Sequence, residues 1–115
     1  MVTSTHAPLL FSRRLKAARK RMGITQMELG VLAGIDEFTS SARINQYERG
    51  KHTPDYLTAK HLAKVLGVPT AYFYAEDDTL AELIALCGHL KTSERKELID
   101  HAESLVSQVK PSKGK

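Results

Sequence analysis

Glycines at 23, 34, 50 and 67 each close a stretch whose apolar residues recur three and four positions apart. This punctuation constrains the fold more than anything else in the sequence. Phe11, Leu15, Ala18 and Met22 fall at offsets 0, 4, 7 and 11, one stripe on a helix that Pro8 opens and Gly23 ends. Thr25-Gln26-Met27-Glu28 is a capping box, in which the Thr25 hydroxyl accepts from the amide three residues on and Glu28 reaches back. It opens a nine-residue helix through Leu29, Leu32 and Ala33 that stops at Gly34. Ile35 to Thr39 has no clear period. Ser40 or Ser41 then caps a third helix, which holds Ile44 and Tyr47 and stops at Gly50. Thr53 caps a fourth, with Pro54 in its first turn, Ala59, Leu62, Ala63 and Leu66 on one face, and Gly67 as its exit. Pro69 starts a further turn with Tyr72 and Phe73. No stretch alternates as a strand does, and there is no internal repeat.

The composition shifts at Glu76-Asp77-Asp78, which divides the chain into a domain over residues 9–75 and a helical extension over 78–110, followed by a frayed tail at 111–115. In the extension Leu80, Leu83, Ile84, Cys87 and Leu90 make one stripe. Leu98, Ala102, Leu105, Val106 and Val109 make a second, after a cap at Thr92 or Ser93. The expected fold is all-α, five helices with two more at the C-terminal end.

Residues 1–75 carry eleven Lys and Arg against five acids, whereas the remainder carries six against eight. A basic half of this kind favours polyanions, either nucleic acid or an anionic membrane surface, although a charge run alone is most often a solvated face. With 42% apolar and 26% charged residues the chain is of globular type. No apolar run reaches the roughly 18–20 residues a membrane helix needs. Ala7-Pro8-Leu9-Leu10-Phe11 is too short for a signal peptide and is followed, not preceded, by basic residues. The single cysteine, Cys87, forms no intrachain disulfide and sits on an apolar stripe as a small core residue. These features place the protein in the cytoplasm.

Nothing in the sequence assembles a catalytic site. There is no phosphate-cradling glycine loop, no glycine-flanked serine nucleophile and no metal-ligand spacing. His6, His52, His61, His89 and His101 are scattered singly, and metals need several convergent donors. No enzyme activity, cofactor or metal is expected.

Two short helices joined by a turn, beside a basic first helix, form the arrangement by which a helix-turn-helix sets one helix in the DNA major groove. Three ordered motifs make the likeness specific. They are Thr25-Gln26-x-Glu28-Leu29-x-x-Leu32-Ala33-Gly34, then Ile44-x-x-Tyr47-Glu48-Arg49-Gly50-Lys51-x-x-Pro54, then Leu62-Ala63-x-x-Leu66-Gly67-Val68. From about Phe11 to Phe73, some 55% of the chain, the sequence resembles the lambda-repressor-like domain of the Cro and phage-repressor (XRE) family of transcriptional regulators.

The resemblance implies a double-stranded DNA operator as partner and roles for named residues. Gln26 bonds a phosphate together with the free amides of its helix N-terminus. Ser40 to Arg49 is the recognition helix, with Ser41, Ala42, Arg43, Asn45 and Gln46 turned outward. Arg43 and Gln46 suit guanine and adenine edges, Ala42 suits a thymine methyl, Ser41 lies nearby, and Asn45 is either a contact or simply solvated. Lys51 and Arg13 are further phosphate contacts. Glu48 pairs with Arg19 in a structural ion pair that ties the third helix to the first.

One departure from the family stands out. Thirteen residues separate Gly34 from Glu48, about four more than usual. The surplus is either a loop over Ile35-Asp36-Glu37-Phe38-Thr39, pointing its acids away from phosphate, or an early start of the third helix near Asp36. Phe38 is expected to be buried against neighbouring helices, with a role in DNA contact as the alternative.

Leu98, Ala102, Leu105 and Val109 contribute either to a homodimer or to packing within the chain. The expected function is a sequence-specific transcriptional regulator, a repressor on the nucleoid. The alternative is a protein-interaction module of the same fold, an antitoxin or bridging factor, with Glu76-Asp77-Asp78 as a contact patch for its protein partner.

Overall fold

The computed structural model describes residues 3–109, with side chains over 9–108. Its elements are α1 (Thr3–Met22), α2 (Gln26–Leu32), α3 (Glu37–Glu48), α4 (Tyr56–Leu66), a 3-10 turn (Thr70–Tyr74), α5 (Asp78–Cys87) and α6 (Thr92–Val109). The fold is all-α, without a strand among the described residues. The 111–115 tail lies outside them.

The helical stripes converge on one core. Phe11, Leu15 and Ala18 of α1 meet Leu29 of α2, Ile44 and Tyr47 of α3, and Ala59, Leu62 and Ala63 of α4. Phe73 of the 3-10 turn closes the bottom, its ring 4.6 Å from that of Phe11 in a tilted pair. Met22, the fourth residue of the α1 stripe, is exposed instead. The helix also begins earlier than expected, at Thr3, so Pro8 falls inside it and not in its first turn.

The extra residues after Gly34 are helix, not loop. Asp36 caps α3, its carboxylate accepting from the Phe38 amide at 3.0 Å, and the helix runs twelve residues from Glu37 to Glu48. Ser40, expected as a possible cap, is therefore inside the helix and fully buried. The register explains the choice: Ser40, Ile44, Tyr47 and Glu48 sit at offsets 0, 4, 7 and 8, a single inward stripe. Starting at Asp36 lets that stripe gain a turn. Phe38 lies off it and is 93% exposed, so the expectation of a core Phe38 is overturned.

Ser40 reaches this depth because α2 offers a gap. Its hydroxyl donates to the Met27 carbonyl at 2.8 Å, and a Cβ at Gly30 would fall 1.9 Å from Ser40 Oγ and 3.2 Å from Ile44 Cγ1. Only glycine permits this crossing. Further on, Asp55 and not Thr53 caps α4, accepting from the Thr58 amide at 2.9 Å, since a carboxylate answers the helix N-terminus with a full charge. Pro54 precedes the helix and is buried.

At the acidic junction Asp77 caps α5, and Asp78 accepts from Arg13 at 3.0 Å and Arg14 at 2.9 Å. Arg14 is buried and also donates to the Ala75 and Glu76 carbonyls. The start of the extension is thus bolted to α1. Beyond it, α5 packs on the body through Ala81, Ile84 and Ala85, while Leu80, Leu83 and Leu86 face solvent and Cys87 is half-buried. The α6 helix starts at Thr92, so neither Thr92 nor Ser93 is its cap; the Lys91 amide donates to Glu94 at 2.8 Å. Along α6 only Leu98 is half-buried among residues 92–108, and Ile99, Leu105 and Val106 are open.

Alanine at an exposed helical glycine adds about 1 kcal/mol of stability. At Gly30 the clash with Ser40 reverses the sign. Gly30→Ala is expected to lower unfolding free energy by about 1–3 kcal/mol in urea denaturation, with a smaller loss relative to its own parent in a Ser40→Ala background. A neutral or stabilising Gly30→Ala would contradict the packing.

Candidate nucleic-acid interface

The outer surface of α3 is set by what its inner surface holds. Ser40, Ile44 and Tyr47 are buried, so helical spacing leaves Ala42 and Gln46 on the opposite ridge, with Ser41 and Arg43 on its two flanks. Ser41, Ala42, Arg43 and Gln46 are exposed, and Asn45 is half-buried at the α2 side. Four of the five residues singled out on this helix therefore share an open surface. Hydrogen bonding to the Tyr47 side chain, one turn on, raises the Arg43 guanidinium pKa above its ordinary value, and the charge is fixed at any physiological pH.

Under this surface a polar network locks α1, α2 and α3 together. Arg19 presents two nitrogens to the two Glu48 carboxylate oxygens, Nη2 at 3.0 Å from Oε1, while its Nη1 donates to the Ile24 carbonyl at 2.9 Å. The Glu48 side chain is 3% exposed and that of Arg19 12%. The hydrogen bond to Glu48 raises the Arg19 pKa, working against its burial. Gln26 Nε2 completes the network, donating to Glu48 Oε1 at 3.0 Å and to Asn45 Oδ1 at 3.3 Å.

This arrangement redistributes the expected donors. Both amide protons of Gln26 are engaged with Glu48 and Asn45, so the side chain is held against α3 and not free at the helix end. Arg13 is engaged with Asp78 at the start of α5. Lys51 is exposed and has no ion pair among the described residues. It follows Gly50, whose φ of +76° needs a residue without a side chain, and its amide closes the turn onto the Gln46 carbonyl at 2.9 Å. Of the basic residues on α1, Arg13, Arg14 and Arg19 neutralise acids of the fold itself. Sequence reasoning missed the Gln26–Asn45 contact and the burial of Arg14. The first follows from no spacing rule, because the two residues lie on different helices.

Among the described residues no group of three or more His, Cys, Asp or Glu converges where it would hold a metal, and no helix is long and apolar enough to cross a membrane.

A short α2 crossing α3, with the second helix presenting an exposed ridge and its back bolted to α1, defines a helix-turn-helix protein. The family model for helix-turn-helix HTH_3 matches residues 15–73, and the chain belongs to this Cro/C1-type family of DNA-binding transcription regulators. Among solved structures it is similar to the crystal structure of transcriptional regulator BswR, at 50% sequence identity and a TM-score of 0.73, over 81% of this chain and 92% of that one. The likeness therefore extends beyond the matched family segment. No curated protein matches significantly.

Removing Glu48 leaves the Arg19 guanidinium with only the Ile24 carbonyl and the Gln26 amide with only Asn45 as acceptor. Glu48→Ala is expected to cost about 3–5 kcal/mol of stability by urea denaturation, and the Arg19→Ala, Glu48→Ala double variant less than the sum of the two. Additive losses below ~1 kcal/mol each would mean that the pair is no more than a surface contact.

Proposed function

We propose that this protein represses transcription by occupying an operator, with α3 in the DNA major groove. The observation that carries this reading is the uncovered ridge of α3, with Ala42 and Gln46 on it and Ser41 and Arg43 beside it, on a helix whose other face is fixed by the Arg19–Glu48–Gln26 network. Arg43 bridges guanine O6 and N7, Gln46 bridges adenine N6 and N7, Ala42 meets a thymine methyl, and Ser41 hydrogen-bonds beside them. Asn45 has its carbonyl engaged by Gln26, so it offers its amide protons to a base acceptor. Lys51 takes a phosphate. Gln26 and Arg13 join it only by trading their present acceptors. The protein is not an enzyme in this reading, needs no metal or cofactor, and works in the cytoplasm where its DNA is.

Operator recognition by one ridge gains affinity and specificity from symmetry, since two half-sites a helical turn apart are read together. We take the uncovered apolar residues of the extension, Leu105 and Val106 among them, as the contact between two copies. Most helical stability in a protein comes from packing of an amphipathic face, and α6 receives little of it from its own chain. The same face also fits the second reading, an antitoxin or bridging factor that meets another protein there.

Selection of bound fragments from a random duplex pool tests the function, and an enriched, two-fold symmetric motif is expected. Arg43→Ala is then expected to lose about 1–3 kcal/mol of binding and relax one base position, whereas Lys51→Ala weakens all duplexes alike and flattens the salt slope. Equal losses on operator and random DNA for Arg43→Ala would contradict its role. In sedimentation a dimer is expected that Leu105→Glu dissociates; a monomer that binds another protein without DNA favours the second reading.

A further inference from the structure

Phe38 is a large apolar side chain placed where the fold gives it no cover. It stands in the first turn of α3 at 93% exposure, fixed by the Asp36 cap on its own amide. Its position on the helix indicates what covers it. Phe38, Ala42 and Gln46 follow one another at four-residue spacing, so they form one line on the surface. That line is opposite the buried Ser40, Ile44 and Tyr47.

The two acids of the same turn leave the line clear. Glu37 borders a recess with Ile24, Met27, Val31 and Leu32 on the α2 side, and the Asp36 carboxylate is turned back onto the helix amide. The added turn of α3 thus prolongs the ridge with a ring that carries no charge and no hydrogen-bonding group. In the major groove, the base-edge feature that such a ring recognises is the C5-methyl of thymine; cytosine offers an amino donor and no methyl there.

Resting on the groove-binding reading above, we propose that Phe38 is a further specificity-determining residue. It covers a thymine methyl about 12 Å along the helix from the base that Gln46 reads. An apolar pocket on a protein would also cover the ring, but would not require its alignment with Ala42 and Gln46.

The test uses the full chain, its selected operator, and duplexes in which each thymine in turn is replaced by deoxyuridine, which lacks only the methyl. Wild type is expected to lose roughly tenfold in affinity at one thymine of each half-site. Phe38→Ala is expected to lose a similar factor on the parent operator and nothing further at that thymine, with Phe38→Leu in between. The variant keeps its fold, since the ring packs on nothing and alanine favours helix; circular dichroism checks this. Unchanged operator affinity in Phe38→Ala, or losses that add in full at every thymine, would overturn the proposal while leaving groove binding intact. Loss of a protein partner at unchanged operator affinity would overturn it in favour of that partner. A wild-type chain that selects no duplex would overturn both readings.

Discussion

The fold is organised around one ion pair, Arg19 with Glu48. Glu48 is the last residue of α3, on the same inward stripe as Ile44 and Tyr47, and its carboxylate is nearly inaccessible to water. A buried carboxylate without partners is untenable, so the position of α3 is tied to wherever Arg19 and Gln26 can reach it. Arg19 comes from α1 and Gln26 from the start of α2, and the three helices meet at that point. Such a pair adds little net stability compared with apolar packing. It fixes the orientation of α3, which decides which residues look outward.

That orientation changes the meaning of the charge. The basic run on α1 suggests a surface for polyanions, yet three of its arginines neutralise acids within the fold, Arg13 and Arg14 at Asp78 and Arg19 at Glu48. Arg14 is buried under Tyr72, its guanidinium 5.8 Å from the ring centroid. Three of the eleven basic residues of that half therefore serve cohesion, and Lys51 stands beside α3 without an ion pair among the described residues. Asp78 works in the other direction: the two arginines hold its carboxyl below the usual range, so its pairing is intact above that range and is lost only as pH falls below it.

Much of the architecture was legible because helix ends are local. The Thr25–Glu28 capping box and the glycine at 67 are decided within a few residues, and the structure places them as the spacing implies. The Arg19–Glu48 contact was legible only through family resemblance, since it joins residues 29 apart. The third helix was harder. Two serines at 40 and 41 look like caps, and Asp36 gives the same local signal four residues earlier. The tie is broken by Gly30, whose missing side chain admits Ser40 to the α2–α3 crossing, and no reading of one helix at a time reveals that. Phe38 was misplaced for the same reason. Hydrophobicity alone sends it inward, but register with Ile44 sends it out.

The central claim is that α3 is the surface that meets DNA. Amide chemical shifts of the full chain, followed as duplex operator is added, test it most directly. The largest changes are predicted over Phe38–Gln46 and at Lys51, with the exposed α5 face at Leu80, Leu83 and Leu86 unmoved. Changes gathered on α5 and α6 with α3 silent, or no change with saturating duplex, would contradict the account.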